Sequence, residues 1–341
     1  MTLMLLGLLL IPLSPARSAG TWFEMDTGSI HDLLAVWGTS DDDLFAAGEE
    51  GTLLHYNGTY WLDIDTGVFS DLNSLWGIPL EVVVACGEEG SMFLYNGYQW
   101  LKLTPTIKNI NAVWGASSSD IHAVGSYGLF LHYDGLQWRV LNPGPTGLNL
   151  YSLWGSGQND VYAGGELGTI LHYDGDVWSI PDDAGIPTSQ TIRALWGASS
   201  TEIFAAGTNG DIFRYDGSTW SLVANTGFEL YTLWGSGTDN VFAAGEGGKV
   251  YHYDGNSGNI WEEITGFTGQ GVEDIHASWG STSGRVYFTG SGGRIFLYSG
   301  EDHIPPQIIA VELSKNNEGR AYVPTEVVFH FSEGMDPASI T

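Results

Sequence analysis

A single cysteine in 341 residues means that no disulfide can form within the chain. Cys86 falls in the slot that Ala47 and Ala206 occupy in the repeats described below, so it reads as a small core residue. Basic residues are scarce too: 11 Lys and Arg against 40 Asp and Glu, a formal charge of −29. That balance excludes nucleic acid and anionic membrane surfaces, which both require a positive face, and leaves room for a cationic ligand, divalent ions or plain solvation. No long apolar run is present. Thr2 to Leu13 is too short to span a bilayer, and the small residues and prolines that follow, ending at Ala16 and Ala19, read as a secretory signal peptide over 1–19. Export with one cysteine points to a secreted protein or one of the bacterial cell envelope or surface, with no membrane insertion of the mature chain. No stretch keeps a helical period. No glycine-rich loop leads into a helix, no Ser-His-Asp order stands out and no Cys/His ligands cluster, so nucleotide binding, a cofactor and a resident metal are not expected.

Tryptophan is abundant, and its placement organises the chain. Fourteen of them form two interleaved series of seven. Trp37, Trp76, Trp114, Trp154, Trp196, Trp234 and Trp279 each precede a glycine. Trp22, Trp61, Trp100, Trp138, Trp178, Trp220 and Trp261 make the second series. The period is about 40 residues, the range of solenoids, propellers and arrays, in which one unit cannot bury its apolar face without stacked neighbours. Each unit reads as four short strands. The third runs Asn109–Gly115, Asp120–Gly125, Gly128–Gly135 and Gln137–Leu141, β-branched and aromatic, with Gly, Asp, Asn and Ser at the turns. Gly-x-x-Gly hairpins such as Gly48 to Gly51 and Gly125 to Gly128 join strands two and three, and their glycines read as suppliers of positive φ.

The ends decide the topology. The seventh unit runs from Asp274 to Gly300 and has His303 where a tryptophan is due, while the chain opens with an orphan fourth strand at Thr21–Met25. A first strand that completes the last unit closes a ring and leaves no stray edge. The expected fold is all-β: a seven-bladed β-propeller of four-stranded blades over 20–303, closed by the N-terminal strand, with a partial β segment over 304–341.

The phrase from Trp154 to Trp178, Trp-Gly-Ser followed by Asp-Val-Tyr-Ala-Gly-Gly and Gly-Thr-Ile-Leu-His-Tyr-Asp-Gly-x-x-Trp, resembles the BNR/YVTN-like propeller repeats of secreted bacterial proteins. Its Asp-Gly-x-x-Trp ending (Asp134, Asp174, Asp216) is similar to the Asp-box hairpin of sialidases and sortilin-type propellers, although Tyr133, Tyr173 and Tyr215 stand where that family carries Asp. WD40 and Kelch patterns fit less well. Over 304–341, Pro305-Pro306 and the phrase Phe331-Ser332-Glu333-Gly334-Met335-Asp336-Pro337 resemble the start of a bacterial Ig-like domain of the S-layer/adhesin type. Such a sandwich needs about 100 residues, so this segment reads as its truncated opening.

Because the units are copies, they can be compared with one another. Six residues after each first-series tryptophan stand Asp43, Val82, Asp120, Asp160, Glu202, Asn240 and Arg285, read as side chains bonded to turn backbone. One slot of the third strand holds His55, His132, His172 and His252, with Leu94, Arg214 and Leu297 elsewhere. Equivalent atoms there are too far apart from blade to blade for a shared zinc, so these histidines read as structural hydrogen bonders. On the innermost strand, the residue four before tryptophan is always Leu or Ile and the residue two before is always small, which marks both as packing positions. Three before, the slot reads Leu34, Asn73, Asn111, Tyr151, Arg193, Tyr231 and His276. That divergent slot sits at the face carrying the Gly-x-x-Gly hairpins, with Glu49, Glu88, Glu166 and Glu246, and the lead-in loops with Phe69, Phe228 and Phe267.

The expected function is non-catalytic: a monomeric recognition or scaffold propeller that binds a carbohydrate, peptide or cation at the channel mouth. Its candidate residues are Asn73, Asn111, Tyr151, Arg193, Tyr231, His276, Glu49, Glu88, Glu166 and Glu246. The Asp-box resemblance implies an alternative, a sialidase-like glycoside hydrolase with a three-arginine carboxylate clamp, but by repeat position Arg193 alone lines the channel. A third reading, an assembly factor akin to the photosystem-stability propellers, is disfavoured because those carry basic patches near the channel and this chain is acidic.

Overall fold

The computed structural model describes residues 20–141, 144–181, 186, 189–255, 260–264, 274–300, 308–313 and 327–331. The signal-peptide reading over 1–19, Phe267, His303 and the Phe331–Pro337 phrase beyond its first residue lie outside them. By its contacts the chain divides into two units, Met1–Glu301 and Asp302–Thr341. In the second, Ile308–Leu313 and Val327–Phe331 pair antiparallel.

The first unit is a seven-bladed propeller. Six blades are consecutive four-stranded antiparallel sheets, and in the seventh the order from the outside is Thr21–Met25, Ile295–Ser299, Arg285–Gly290, Ile275–Gly280. The N-terminal strand supplies the outer edge of the last blade in a five-residue register running from Thr21 opposite Ser299 to Met25 opposite Ile295. Closure extends beyond that strand. The Asp41 carboxylate of blade 1 accepts bonds from Ser283 Oγ (2.7 Å) and Tyr287 Oη (3.0 Å) and pairs with Arg285 of blade 7 at 3.3 Å.

The apolar core lies between the sheets. Seven clusters of buried side chains are found among the described residues, and each joins two adjacent blades, the last joining Leu33 and Leu44 of blade 1 to Tyr287 and Ile295 of blade 7. This is why one repeat cannot fold by itself: its buried face is completed by the next copy.

The two tryptophan series have separate jobs. Each first-series indole lies over the glycine that follows the next blade's tryptophan, so a Cβ on Gly115 would overlap Trp76 and one on Gly38 would overlap Trp279, right round the ring. Second-series indoles pack at a tilt on the tyrosine of the third strand, with centroids 5.2 Å apart for Tyr56 and Trp61 and 5.4 Å for Tyr173 and Trp178. Trp22 makes the same contact with Tyr298 at 4.9 Å, which identifies the N-terminal strand as the missing seventh copy.

The hairpins need one correction. The first glycine of Gly-x-x-Gly is extended (Gly48, φ −170) and is required for close approach, since a Cβ there would overlap the Asp32 carbonyl. Positive φ falls on the last two positions. One is the closing glycine, and the other is non-glycine in five blades: Glu50, Glu89, Tyr127, Leu167 and Asn209. A left-handed L-residue costs about 1–2 kcal/mol, and in most blades a hydrogen bond across the junction offsets that cost. The N–H of Glu50 donates to Asp71 Oδ1 (3.1 Å), that of Glu89 to Asn109 (3.0 Å) and that of Tyr127 to Asn149 (2.8 Å). Gly247 uses Asp274 (2.9 Å) in the same way, and Gly292 uses Asp32 (2.7 Å), the last of these crossing from blade 7 to blade 1. The lead-in residue of one blade therefore latches the turn of the blade before it.

Candidate functional site

The divergent slot has a structural cause common to all blades. In every innermost strand the register shifts between the residue four before tryptophan and the residue two before, for example between Leu150 and Ser152 and between Ile192 and Ala194. The residue between them is the extra one of a β-bulge, a device that re-aims a side chain away from the regular alternation. The flanking positions bear out the packing assignment, with Leu33, Leu72, Leu150 and Leu230 fully buried. All seven bulge residues are half-buried.

Four of them, on consecutive blades, form one connected row. The Arg193 guanidinium lies 5.5 Å from the Tyr151 ring centroid on one side and 5.7 Å from the Tyr231 centroid on the other. Tyr231 stacks on His276 at 5.9 Å, and His276 Nε2 is 3.5 Å from Asp32 Oδ2. The Tyr231 hydroxyl donates to Glu229 Oε2 at 3.0 Å. Burial, then that bond, raises the Tyr231 phenol above its ordinary pKa, so it stays a neutral donor.

Arg193 differs from the other described arginines. Arg139 pairs with Asp134, Arg214 with Glu202, Arg285 with Asp41 and Arg294 with Glu24. Arg193 has no carboxylate within ion-pair distance among the described residues, and its Nε is buried without a hydrogen-bond partner. In a chain of net charge −29 an arginine without a carboxylate is conspicuous.

All but one of the remaining candidates hold structure together. Asn73 Nδ2 donates to the Ile110 carbonyl (3.2 Å) and Asn111 Nδ2 to the Leu150 carbonyl (2.8 Å), each fastening its blade to the next. Glu166 accepts from the Asn149 N–H (3.1 Å) and Nδ2 (2.9 Å), Glu246 from the Glu229 N–H (3.1 Å), and Glu88 from Asn109 Nδ2 (3.4 Å). Burial, with Asp71 and Glu89 close by, raises the Glu88 carboxyl. Glu49 makes no side-chain hydrogen bond among the described residues. Around this face stand exposed apolar side chains: Ile30 (82%), Phe69 (86%) and Ile107 (91%) on lead-in loops, with Phe228 half-covered beneath Lys249.

Two slots read separately in the sequence turn out to be partners. His55 Nε2 lies 2.7 Å from Asp43 Oδ1, His172 the same distance from Asp160, and His252 from Asn240. Arg214 meets Glu202 at 2.5 Å, while blade 2 puts Val82 and Leu94 in the two slots. The acidic member is bonded to side chains rather than to turn backbone, since Asp43 Oδ2 also accepts from Thr39 Oγ1 at 2.6 Å. The two columns vary together, and comparing them would have exposed the pairing. The aspartates of the Asp-Gly-x-x-Trp hairpins have a local role: Asp134 Oδ1 accepts the N–H groups of Leu136 and Gln137 at 3.0 Å, which holds its carboxyl below the usual range. The sequence comparison also missed that blade 3 brings Asp120, His122 and His132 together, their ligand atoms within 4.8 Å of one another.

No protein-family model and no curated protein matches the chain. Solved propellers do. YCF48 bound to D1 peptide aligns with a TM-score of 0.68 at 16% identity, covering 83% of this chain and 98% of that one. The WD40 β-propeller domain of Doa1 aligns at 0.69 with 15% identity over 84% and 98%, and YCF48 from Cyanidioschyzon merolae at 0.64 with 16% identity over 84% and 100%. At such identities the likeness shows the fold: the chain is a seven-bladed β-propeller.

Proposed function

We propose that this protein is a non-catalytic recognition propeller that binds a peptide segment at the channel mouth and seats a carboxylate of that peptide on Arg193. One observation carries the reading. Arg193 is the described arginine that lacks an acidic partner, and it is held between two tyrosines on neighbouring blades. Aromatic faces fix the guanidinium plane and contribute about 0.5–2 kcal/mol each without occupying its donors. The donors are left for a bidentate anion, and Tyr231 and His276 extend the row for further polar contacts. Exposed Ile30, Phe69 and Ile107 offer apolar contacts to the rest of the peptide.

The overall negative charge does not forbid an anionic group. Surface charges are screened beyond about 8 Å at physiological ionic strength, whereas a partly buried contact is screened far less. A structural neighbour of this fold was solved with a peptide bound, which makes peptides the first class to test. The glycosidase alternative gains no support, because Arg139, Arg214, Arg285 and Arg294 are ion-paired away from Arg193 and cannot join it in a clamp. Export to the envelope or outside the cell, read from residues 1–19, belongs to the same proposal, and the BNR/YVTN-like and Ig-like resemblances agree with it.

The test uses fluorescence anisotropy with a library of short peptides, each made with a free and with an amidated C-terminus, and with Asp/Glu or Asn/Gln inside. Carboxylate-bearing members should bind more tightly, and changing Tyr151→Ala, Arg193→Met and Tyr231→Ala together should abolish that binding. Arg193→Met alone should weaken it about 10- to 100-fold, the worth of one charged hydrogen-bonded contact. Undiminished binding by the triple variant would remove the site from this row.

A further inference from the structure

Blade 3 departs from its copies at a place away from the channel mouth. Eight residues after the first-series tryptophan the other blades carry Phe45, Val84, Tyr162, Phe204, Phe242 and Tyr287, and blade 3 carries His122. The position is a packing one. Phe45 stacks on His55 at 4.3 Å and Tyr162 on His172 at 4.5 Å, and His122 stacks on His132 at 4.5 Å in the same way. On its far side His122 faces blade 4, with Tyr173 at 4.9 Å and Trp178 edge-on at 5.9 Å.

An imidazole there has what a phenyl does not, two ring nitrogens, and both are buried without a hydrogen-bond partner. His122 is 1% exposed. Buried polar groups are nearly always partnered, so a histidine in a slot where phenylalanine fits needs a reason. Its surroundings supply one. Asp120 is two residues earlier on the same strand and hence on the same face, and His132 is directly opposite on the neighbouring strand. His122 Nε2 is 3.3 Å from Asp120 Oδ1, and His132 Nε2 is 2.7 Å from that same oxygen.

A second departure falls in the same cluster. In blades 1 and 4 the other oxygen of the aspartate accepts a hydroxyl, from Thr39 to Asp43 and from Ser156 to Asp160. Blade 3 has Ala116 at that position, so Asp120 Oδ2 gains no such donor. Compared with its copies, blade 3 has gained a second imidazole and freed a carboxylate oxygen. The ligand atoms of Asp120, His122 and His132 all lie within 4.8 Å of one another.

We infer that Asp120, His122 and His132 form a binding site for one divalent transition-metal ion of the zinc class. Two imidazoles and a carboxylate match the nitrogen and oxygen donors zinc takes, at about 2.0–2.2 Å, with a fourth position left to water. Side-chain exposures of 25% for His132 and 18% for Asp120 leave that position open to solvent. The ion would satisfy one of the two orphaned nitrogens of His122 and tie the second strand of blade 3 to the third. Isolated exposed carboxylates elsewhere on this acidic surface lack the two imidazoles and would hold such an ion only weakly.

The experiment is titration of the full, chelator-stripped chain with Zn²⁺ by calorimetry and thermal shift, and with Co²⁺ by its visible d–d absorption. The wild type should bind one equivalent tightly, melt higher with Zn²⁺, and give the intense spectrum of low-coordinate cobalt bound by nitrogen. His122→Phe restores the side chain of Phe45, Phe204 and Phe242, so it should fold, and it should bind on the order of 100-fold more weakly or worse, a loss at or beyond the upper end seen for outer-shell changes. His132→Leu copies Leu94 and Leu297 and should lose binding in parallel. His172→Leu, in the blade 4 pair that lacks a second imidazole, should leave the tight site intact. Equal Zn²⁺ affinity in wild type and His122→Phe would overturn the assignment, as would a wild type without a tight equivalent.

Discussion

The seven bulge positions divide into two arcs. Blades 1 to 3 place Leu34, Asn73 and Asn111 there, and the two asparagines are committed to backbone carbonyls of the next blade. Blades 4 to 7 place Tyr151, Arg193, Tyr231 and His276, which touch one another through rings and a guanidinium rather than through backbone. Both arcs have the same bulge and the same half-burial, so backbone geometry does not separate them. Side-chain chemistry does. An amide one bulge away from a carbonyl closes a junction, whereas a row of aromatic faces around a cation leaves hydrogen-bonding capacity unused. The junction latches follow the division only in part. Asp71, Asn109 and Asn149 latch the turns of blades 1 to 3, and Asp274 and Asp32 latch those of blades 6 and 7, while Thr191 and Glu229, which lead into blades 5 and 6, make no such bond among the described residues, and these two junctions flank Arg193.

The contrast has meaning only if the ring is closed, so the largest effect tests closure. Deleting residues 21–28 removes five paired residues and Trp22. Loss of a packed indole alone costs about 3–5 kcal/mol. At roughly 2–4 °C per kcal/mol for a chain of this size, the melting temperature should fall by about 10 °C or more in calorimetry. A melting curve that does not move would mean the seventh blade does not depend on this strand.

The next effect separates the arcs directly. Asn111→Leu should lower stability by about 1–2 kcal/mol, because the Leu150 carbonyl loses its donor, and should leave peptide binding intact. Arg193→Met should do the reverse: unchanged urea midpoint, and binding weakened about 10- to 100-fold. If both variants lose stability and neither alters binding, the two arcs are equivalent and the distinction fails.

The smallest effect concerns two blades rather than two arcs. Blade 2 fills with Val82 and Leu94 the slots that blade 1 fills with Asp43 and His55. Changing Asp43→Val and His55→Leu together should alter stability less than the sum of the two single changes. The coupling expected of a half-exposed pair is within about 1 kcal/mol, read from a double-mutant cycle in urea. Strict additivity would show that the pair does not act as a unit.

Much of this was legible from internal repetition. The number of blades, the closing strand and the divergent slot all followed from aligning the chain with itself, because each copy repeats whatever the shared packing demands. The Asp–His pairing was legible in principle, from the joint change at Val82 and Leu94. Of the two glycines that frame each hairpin only the closing one has positive φ, while the first serves close approach; close approach to a carbonyl and left-handed backbone both select glycine, and a sequence cannot tell them apart.

Taken alone, the sequence determined architecture: forty-residue copies with two tryptophans apiece must stack, and the orphan strand around Trp22 must end the series by joining it. It also isolated the one position per blade that packing left free to vary. Tertiary structure decided what those free positions do, because contact across a blade junction depends on where a bulge aims a side chain and on which carbonyl or ring faces it. That Asn111 fastens a junction while Arg193 stays without an acidic partner among the described residues, and that His122 meets His132 and Asp120, are facts of register and distance, and spacing along the chain does not encode them.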